Sequence, residues 1–313
     1  MEGVLMGFGV VLVLIVIGII VRLSLPKQVS TKIQEGLSPT IYYVSNPILM
    51  VVLLAETDLR QVVGVFVPVA LISAFAGAGL FFLISRFVLR RKVVEAVPAS
   101  MASAYANAGN IGLPIALFSV SSAVPAISVL ASQLLIIAPV YLTIFSFISR
   151  SAQPGDTSTG KLILKSVANP VTIGALIGAV PSLSQWQVPA VIWEPLDMLG
   201  HASVPLLLMM FGMSLIGQTP FRTREILADV VLGTLVKLAV LPVVAWAVGH
   251  FVFGLEGIDL FGVVVMAALP TAQNVFLFST QFKLPTLAVR DITFATSLLA
   301  FPAILVIGLL LAP

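Results

Sequence analysis

Long apolar runs separated by short polar punctuation occupy nearly the whole chain. A membrane span takes ~20 residues, and ten runs of about that length can be marked. They cover about Val4–Leu23, Leu37–Ala55, Val62–Ser85, Val97–Val120, Val124–Ile148, Val167–Leu183, Trp193–Ile216, Ile226–Phe251, Ile258–Phe282 and Ile292–Leu311. None shows the alternating pattern of an outer-membrane strand. The pattern predicts an all-α membrane protein of ten transmembrane helices. The first run follows Met1-Glu2-Gly3 with no early Lys or Arg, and it is long enough to span. It reads as a retained first helix, because a signal peptide wants a basic start.

Composition sharpens the picture. Of 313 residues, 59% are hydrophobic and 9% charged, against ~25% charged in soluble domains. The mean hydropathy is +1.14. A soluble surface and a disordered chain are both excluded. There is no cysteine, so disulfides and thiolate chemistry are excluded as well. Basic residues gather in alternate loops: Arg22, Lys27 and Lys32; Arg86, Arg90, Arg91 and Lys92; Arg150, Lys161 and Lys165; Arg222 and Arg224; Lys283 and Arg290. The opposite loops hold Arg60, and Lys237 lies inside the eighth run. The positive-inside rule then places both termini outside the cytoplasm, in a multi-pass protein of the inner or plasma membrane. No basic stretch is interleaved with aromatics, so nucleic acid is not an expected partner.

The chain also resembles itself. Ser45-Asn46-Pro47 in the second run matches Ser203-Val204-Pro205 in the seventh. Ala131-Ser132-Gln133 in the fifth matches Ala295-Thr296-Ser297 in the tenth, and Ile17-Gly18 matches Ile173-Gly174. Coincidence among apolar segments is the plain alternative. In order, the matches suggest two five-helix repeats, residues 1–148 and 167–313, joined by a cytoplasmic linker at 149–166. Five is odd, so the second copy would sit inverted, as in secondary transporters.

The fourth run carries Asn107-Ala108-Gly109-Asn110-Ile111-Gly112-Leu113-Pro114, and the ninth carries Pro270-Thr271-Ala272-Gln273-Asn274. Both are poor material for a continuous helix. Paired interruptions in corresponding spans point to a transport site. Each break creates a helix N-terminus with unpaired N–H groups and partial positive charge. Pro114 and Pro270 suit a first-turn position. The amides of Asn107, Asn110, Gln273 and Asn274 and the Thr271 hydroxyl can cap those ends or face a ligand. Two converging ends would make an anion site, plausible for a carboxylate. Packed proline kinks are the structural alternative.

The motif N-x-G-N-x-G-L-P in the fourth run, with P-T-A-x-N-x-F from Pro270 to Phe276, resembles the auxin efflux carrier family. The resemblance covers essentially the whole chain by helix count and motif position. It implies a bile-acid-symporter-like fold. Helices 1, 2, 6 and 7 would form a scaffold; helices 3–5 and 8–10 would form a moving transport domain, with helices 4 and 9 crossing at the site. Family members export auxin or move small dicarboxylates such as malate and malonate. The short central linker favours a bacterial-type permease.

Other polar residues within the runs are candidates. Lys237 is an intramembrane cation, either functional or snorkelling. It could attract a carboxylate or serve as a fixed charge in place of sodium. Asp197 and His201 share a helix face, and His201 could carry a proton or simply pack. Asn46 could face the substrate from the scaffold side or satisfy a kink. The function expected is a secondary transporter of small organic anions working by elevator-type alternating access. A sodium-coupled symporter or an anion channel is the alternative. No H-E-x-x-H or G-x-S-x-G motif suggests an enzyme. No cofactor or metal is expected; proton or sodium coupling is open. The expected partners are a small organic anion and the bilayer, with a homodimer as a candidate assembly.

Overall fold

A computed structural model describes residues 2–57, 62–152, 164, 168, 170–184, 186, 188–216, 221 and 223–311. Most of the 149–166 linker lies outside the described residues, as do Arg60 and Arg222. The described chain is helical, and its one β-type pairing is an isolated antiparallel bridge between Ala106 and Thr271.

The helices are α1 (Glu2–Ser24), α2 (Lys27–Glu56), α3 (Gly64–Val88), α4 (Val93–Ala102), α5 (Ala108–Val120) and α6 (124–152). After the linker come α7 (Pro170–Ser184), α8 (Ala190–Ser214), α9 (Arg224–Val252), α10 (Gly257–Ala267), α11 (Asn274–Gln281) and α12 (Leu287–Leu311). Six of them (α2, α3, α6, α8, α9 and α12) are long and apolar enough to cross a membrane. Large apolar side chains such as Leu176, Leu183, Val191 and Leu310 remain exposed on the outer faces, where lipid would cover them.

Two boundaries differ from the hydropathy reading. Helix α2 begins at Lys27, nearly three turns before Leu37. Its first stretch, KQVSTKIQEGLSPT, is amphipathic and too polar to register as a span. The α6 helix persists to Ala152, past the expected linker start.

Prolines inside the helices are accommodated by widened turns. Five-residue π turns at Ile41–Ser45, Ala108–Gly112, Gln133–Ile137 and Val236–Val240 each end two residues before a proline: Pro47, Pro114, Pro139 and Pro242. A proline cannot donate and its ring crowds the preceding turn. An i→i+5 turn moves the obstructed carbonyl aside, so the helix widens instead of ending.

Packing divides the helices into neighbourhoods. Helix α1 packs on α8, and α2 packs on both α7 and α8. These contacts are backbone-close. A Cβ on Gly18 would overlap the Met209 carbonyl, and one on Gly212 the Ile15 carbonyl. One on Gly174 would overlap Pro47, and one on Gly178 would overlap Val51. Small residues permit this approach where lipid offers no hydrophobic gain for helix association. Helix α3 packs on α4, α6 and α9, while α9 also packs on α10 and α12. Helix α5 reaches across to α1 and α8. The short helices α4 and α10 are buried over most of their surface, from Ala96 to Ala102 and from Leu260 to Met266.

Asp229 near the start of α9 is buried and accepts from Arg91 Nε at 2.9 Å and Ser85 Oγ at 3.3 Å. Arg91 also donates to the Glu225 carbonyl. The α3–α4 turn is thereby pinned to α9.

Candidate functional site

The chain leaves helical geometry between α4 and α5, at Ser103–Asn107, and between α10 and α11, at Ala268–Gln273. The two extended stretches cross antiparallel. Asn107 N–H donates to the Pro270 carbonyl at 2.8 Å, and Ala272 N–H donates to the Tyr105 carbonyl at 3.0 Å. Unwound backbone that would otherwise be orphaned in an apolar interior is thus paired with itself.

Side chains complete the pairing. Thr271 Oγ1 donates to the Ala102 carbonyl at the end of α4, at 2.6 Å, and Thr271 N–H donates to Thr296 Oγ1 on α12 at 3.1 Å. Gln133 Nε2 on α6 donates to the Ala106 carbonyl at 2.8 Å. Lys237 Nζ on α9 donates to the Ala267 carbonyl, the last of α10, at 2.7 Å. A cation at a helix C-terminus offsets the partial negative charge there. Thr271→Val removes a donor from a buried carbonyl, which costs ~1–3 kcal/mol. The expected outcome is a lower melting temperature in detergent, while Thr280→Val, at an exposed position, leaves it unchanged.

Two helix N-termini start from the crossing. Asn107 is the N-cap of α5 and Gln273 that of α11, and neither side chain caps its own helix. The side chains of Asn110, Gln273 and Asn274 are exposed, and each opens onto a cavity. One cavity, of about 590 Å³, is lined by Asn46, Asn107, Asn110 and Gln273 and by the α2 residues Gln34, Glu35 and Tyr42. The other, of about 340 Å³, shares Tyr42, Asn46, Asn107, Asn110 and Gln273 with the first. It adds Gly109 and Asn274 and an apolar wall of Leu134, Leu277 and Phe278. The amides of Asn46, Asn107, Asn110 and Gln273 therefore line both cavities, and that of Asn274 lines the smaller. The buried Asn46 Oδ1 has no hydrogen-bond partner.

A family model for membrane transport proteins matches residues 8–308. The chain belongs to this auxin efflux carrier-like family. It is a multi-pass membrane protein of a secondary-transporter family. No curated protein matches the chain.

Within this transporter the residues expected from sequence separate into three groups. Asn46, Asn107, Gly109, Asn110, Gln273 and Asn274 are brought together around the cavities. Gly112, Pro114, Pro270 and Thr271 line neither. Pro114 sits seven residues past the α5 N-cap, and not in its first turn, because the break precedes the motif and the π turn absorbs the proline. Pro270 lies in the extended stretch, where its carbonyl serves the crossing. Gly112 faces Leu269 and Met266, so its role is close packing. Lys237 is fully buried, not snorkelling, and lies away from both cavities.

His201 and Asp197 form the third group. They pair at 3.0 Å on the surface of α8, both nearly half exposed, and line neither cavity. His201→Ala is expected to leave transport rates unchanged, which initial uptake measured beside the unaltered protein checks.

Sequence reading missed Gln133, Tyr42, Glu35 and Phe278. A lone Gln in an apolar span was the available signal for Gln133. Glu35 and Tyr42 belong to the polar start of α2 that hydropathy left out.

Proposed function

We propose that this protein carries small organic anions bearing one carboxylate and an apolar body, exchanging the site between two faces of the membrane by an elevator-type movement. The observation that carries this reading is the pair of uncapped helix N-termini with four amides beside them, open to two cavities. Each terminus contributes roughly half a positive charge, together about the charge of one carboxylate. Among the described residues, neither cavity is lined by Lys, Arg or His, and the 590 Å³ cavity includes Glu35. A second carboxylate would meet no cation there and would face Glu35. The wall of Tyr42, Leu134, Leu277 and Phe278 suits an apolar or aromatic remainder. Dicarboxylates are the less supported alternative.

The ten-span inverted arrangement is supported by several features. Helices α4 with α5, and α10 with α11, stand as the fourth and ninth spans. Gln133 on α6 and Thr296 on α12, from matching motifs of the two halves, each brace one partner of the Ala106–Thr271 bridge. A scaffold of α1, α2, α7 and α8 is supported by their glycine-close packing, and the remaining helices would move against it. Both termini lie outside the cytoplasm in this reading.

A stabilisation screen of the purified protein tests the substrate class. Apolar monocarboxylates such as phenylacetate are expected to raise the melting temperature of the unaltered protein and not of Asn110→Ala. Stabilisation by malonate with none by any monocarboxylate would overturn the charge argument.

A further inference from the structure

Among the described residues, the cavity between α3, α6, α9 and α10 is lined by one basic side chain, Lys237. Lys237 is fully buried, and its ammonium donates to one protein acceptor, the Ala267 carbonyl. An ammonium has three donors, so two remain. Beside it is a cavity of about 30 Å³, room for one or two waters. Its other polar lining is Ser73, Ser132 and Gln133. The Ser73 and Ser132 hydroxyls already donate to the Val69 and Ser128 carbonyls, both at 2.7 Å. The Gln133 amide already donates to Ala106. These groups offer the cavity lone pairs, a set that suits water better than a resident anion.

No carboxylate lines this cavity among the described residues. On the same helix, Asp229 is taken by Arg91 and Ser85, and His250 lies at the far end. On α12, Asp291 accepts from Arg290 Nε and Phe221 N–H. Asp259 is in the first turn of α10 and Glu95 in the first turn of α4. Arg86 is near the end of α3, and Tyr141 on α6 meets Ser100. Tyr105, in the extended stretch, lines the other cavity. None of these side chains reaches the Lys237 cavity wall. Ala106 and Gln133, however, line both this cavity and the 340 Å³ cavity at the crossing. They form the partition between the lysine and the anion site.

We propose that Lys237 is a proton-coupling group, taking up a proton when an organic anion binds at the crossing and releasing it when the anion leaves. This inference rests on the organic-anion reading above. The proton comes from bulk solvent, with the cavity water as relay, adds to the Nζ lone pair, and returns to bulk solvent the same way on release, so that no hydroxide is left behind. No covalent bond to the substrate forms. A buried ammonium with no ionic partner is costly. An anion arriving beyond the Gln133 partition offsets that cost through a low-dielectric interior. Linkage makes the effect reciprocal: the proton strengthens anion binding as much as the anion strengthens proton binding. The moving helices then carry a pair of opposite charges instead of one net charge, which suits passage through the bilayer.

The sign follows. Where Lys237 is protonated before the anion arrives, affinity does not depend on pH. Where it is neutral beforehand, affinity falls as pH rises, by at most about tenfold per pH unit. The experiment is titration calorimetry of the purified protein with phenylacetate, and with malonate in parallel, from neutral to alkaline pH. Two buffers of different ionisation enthalpy are used at each pH. The expected result is uptake of up to one proton per anion bound at alkaline pH, absent in Lys237→Met. Lys237→Arg is expected to bind the anion with no proton uptake, because guanidinium stays charged, and it keeps the test intact if the Met variant does not fold. Binding by the unaltered protein with no proton exchange at any pH overturns the proposal and leaves the carrier reading standing. Equal proton uptake by Lys237→Arg overturns it too. Failure of every carboxylate to bind overturns the organic-anion reading, and the inference with it.

Discussion

Asn110→Ala and Asn274→Ala are each expected to cut uptake at low substrate concentration by about tenfold or more in a protein that still folds and inserts. Both side chains are exposed to the 340 Å³ cavity, one in the first turn of α5 and one at the start of α11. Neither takes part in the backbone crossing, which Asn107, Pro270, Tyr105 and Ala272 hold. Truncation should therefore cost ligand affinity and not stability. A hydrogen bond to a charged group contributes ~1.5–3 kcal/mol, so each variant should weaken binding by about tenfold to a hundredfold. Melting temperature without ligand should stay near that of the unaltered protein. Transport at the unaltered rate by both variants would move the site away from the crossing. A collapse in melting temperature would make these amides structural.

The second large effect concerns the glycines beneath α1, α2, α7 and α8. Gly174→Val and Gly212→Leu are expected to prevent recovery of monodisperse protein. Their β-carbons would meet backbone atoms of Pro47 and Ile15, which cannot rotate aside. Overpacking costs ~1–3 kcal/mol where side chains can yield, and here they cannot. Gly79→Ala is the control, since nothing lies within 4 Å of its added carbon. Gly109→Ala should also fold, because its new contact, with Leu130, is an ordinary 3.5 Å. Elution profiles and melting temperatures read all four. Normal folding of Gly174→Val would mean that α2 and α7 do not meet as closely as described.

The helical class and the region of the site were legible in the sequence because both have local causes. Apolar runs of membrane length announce themselves, and Asn107–Pro114 with Pro270–Asn274 concentrates residues that helices exclude. The position of the break was not legible. Proline reads as a terminator, but a π turn at Ala108–Gly112 carries the helix past Pro114, and that choice depends on tertiary packing around Gly112. The division of labour within the motifs was hidden for the same reason. Thr271 and Asn274 are equally polar in sequence, yet Thr271 turns inward to the Ala102 carbonyl while Asn274 faces a cavity. His201 and Asp197 were noted for their shared helix face, and they do pair there, but at an exposed position away from the cavities. Gln133 drew no role because its partner, the Ala106 carbonyl, is 27 residues away.

Carriage of an organic anion at the crossing by a saturable, alternating movement can be read from radiolabelled phenylacetate uptake into liposomes containing the purified protein, with and without unlabelled phenylacetate preloaded inside. The expected uptake saturates with concentration, is accelerated by the preloaded anion and is sharply reduced in Asn110→Ala. Flux that rises without saturation, is indifferent to preloading and carries steady current would contradict it, and the protein would then be an anion channel.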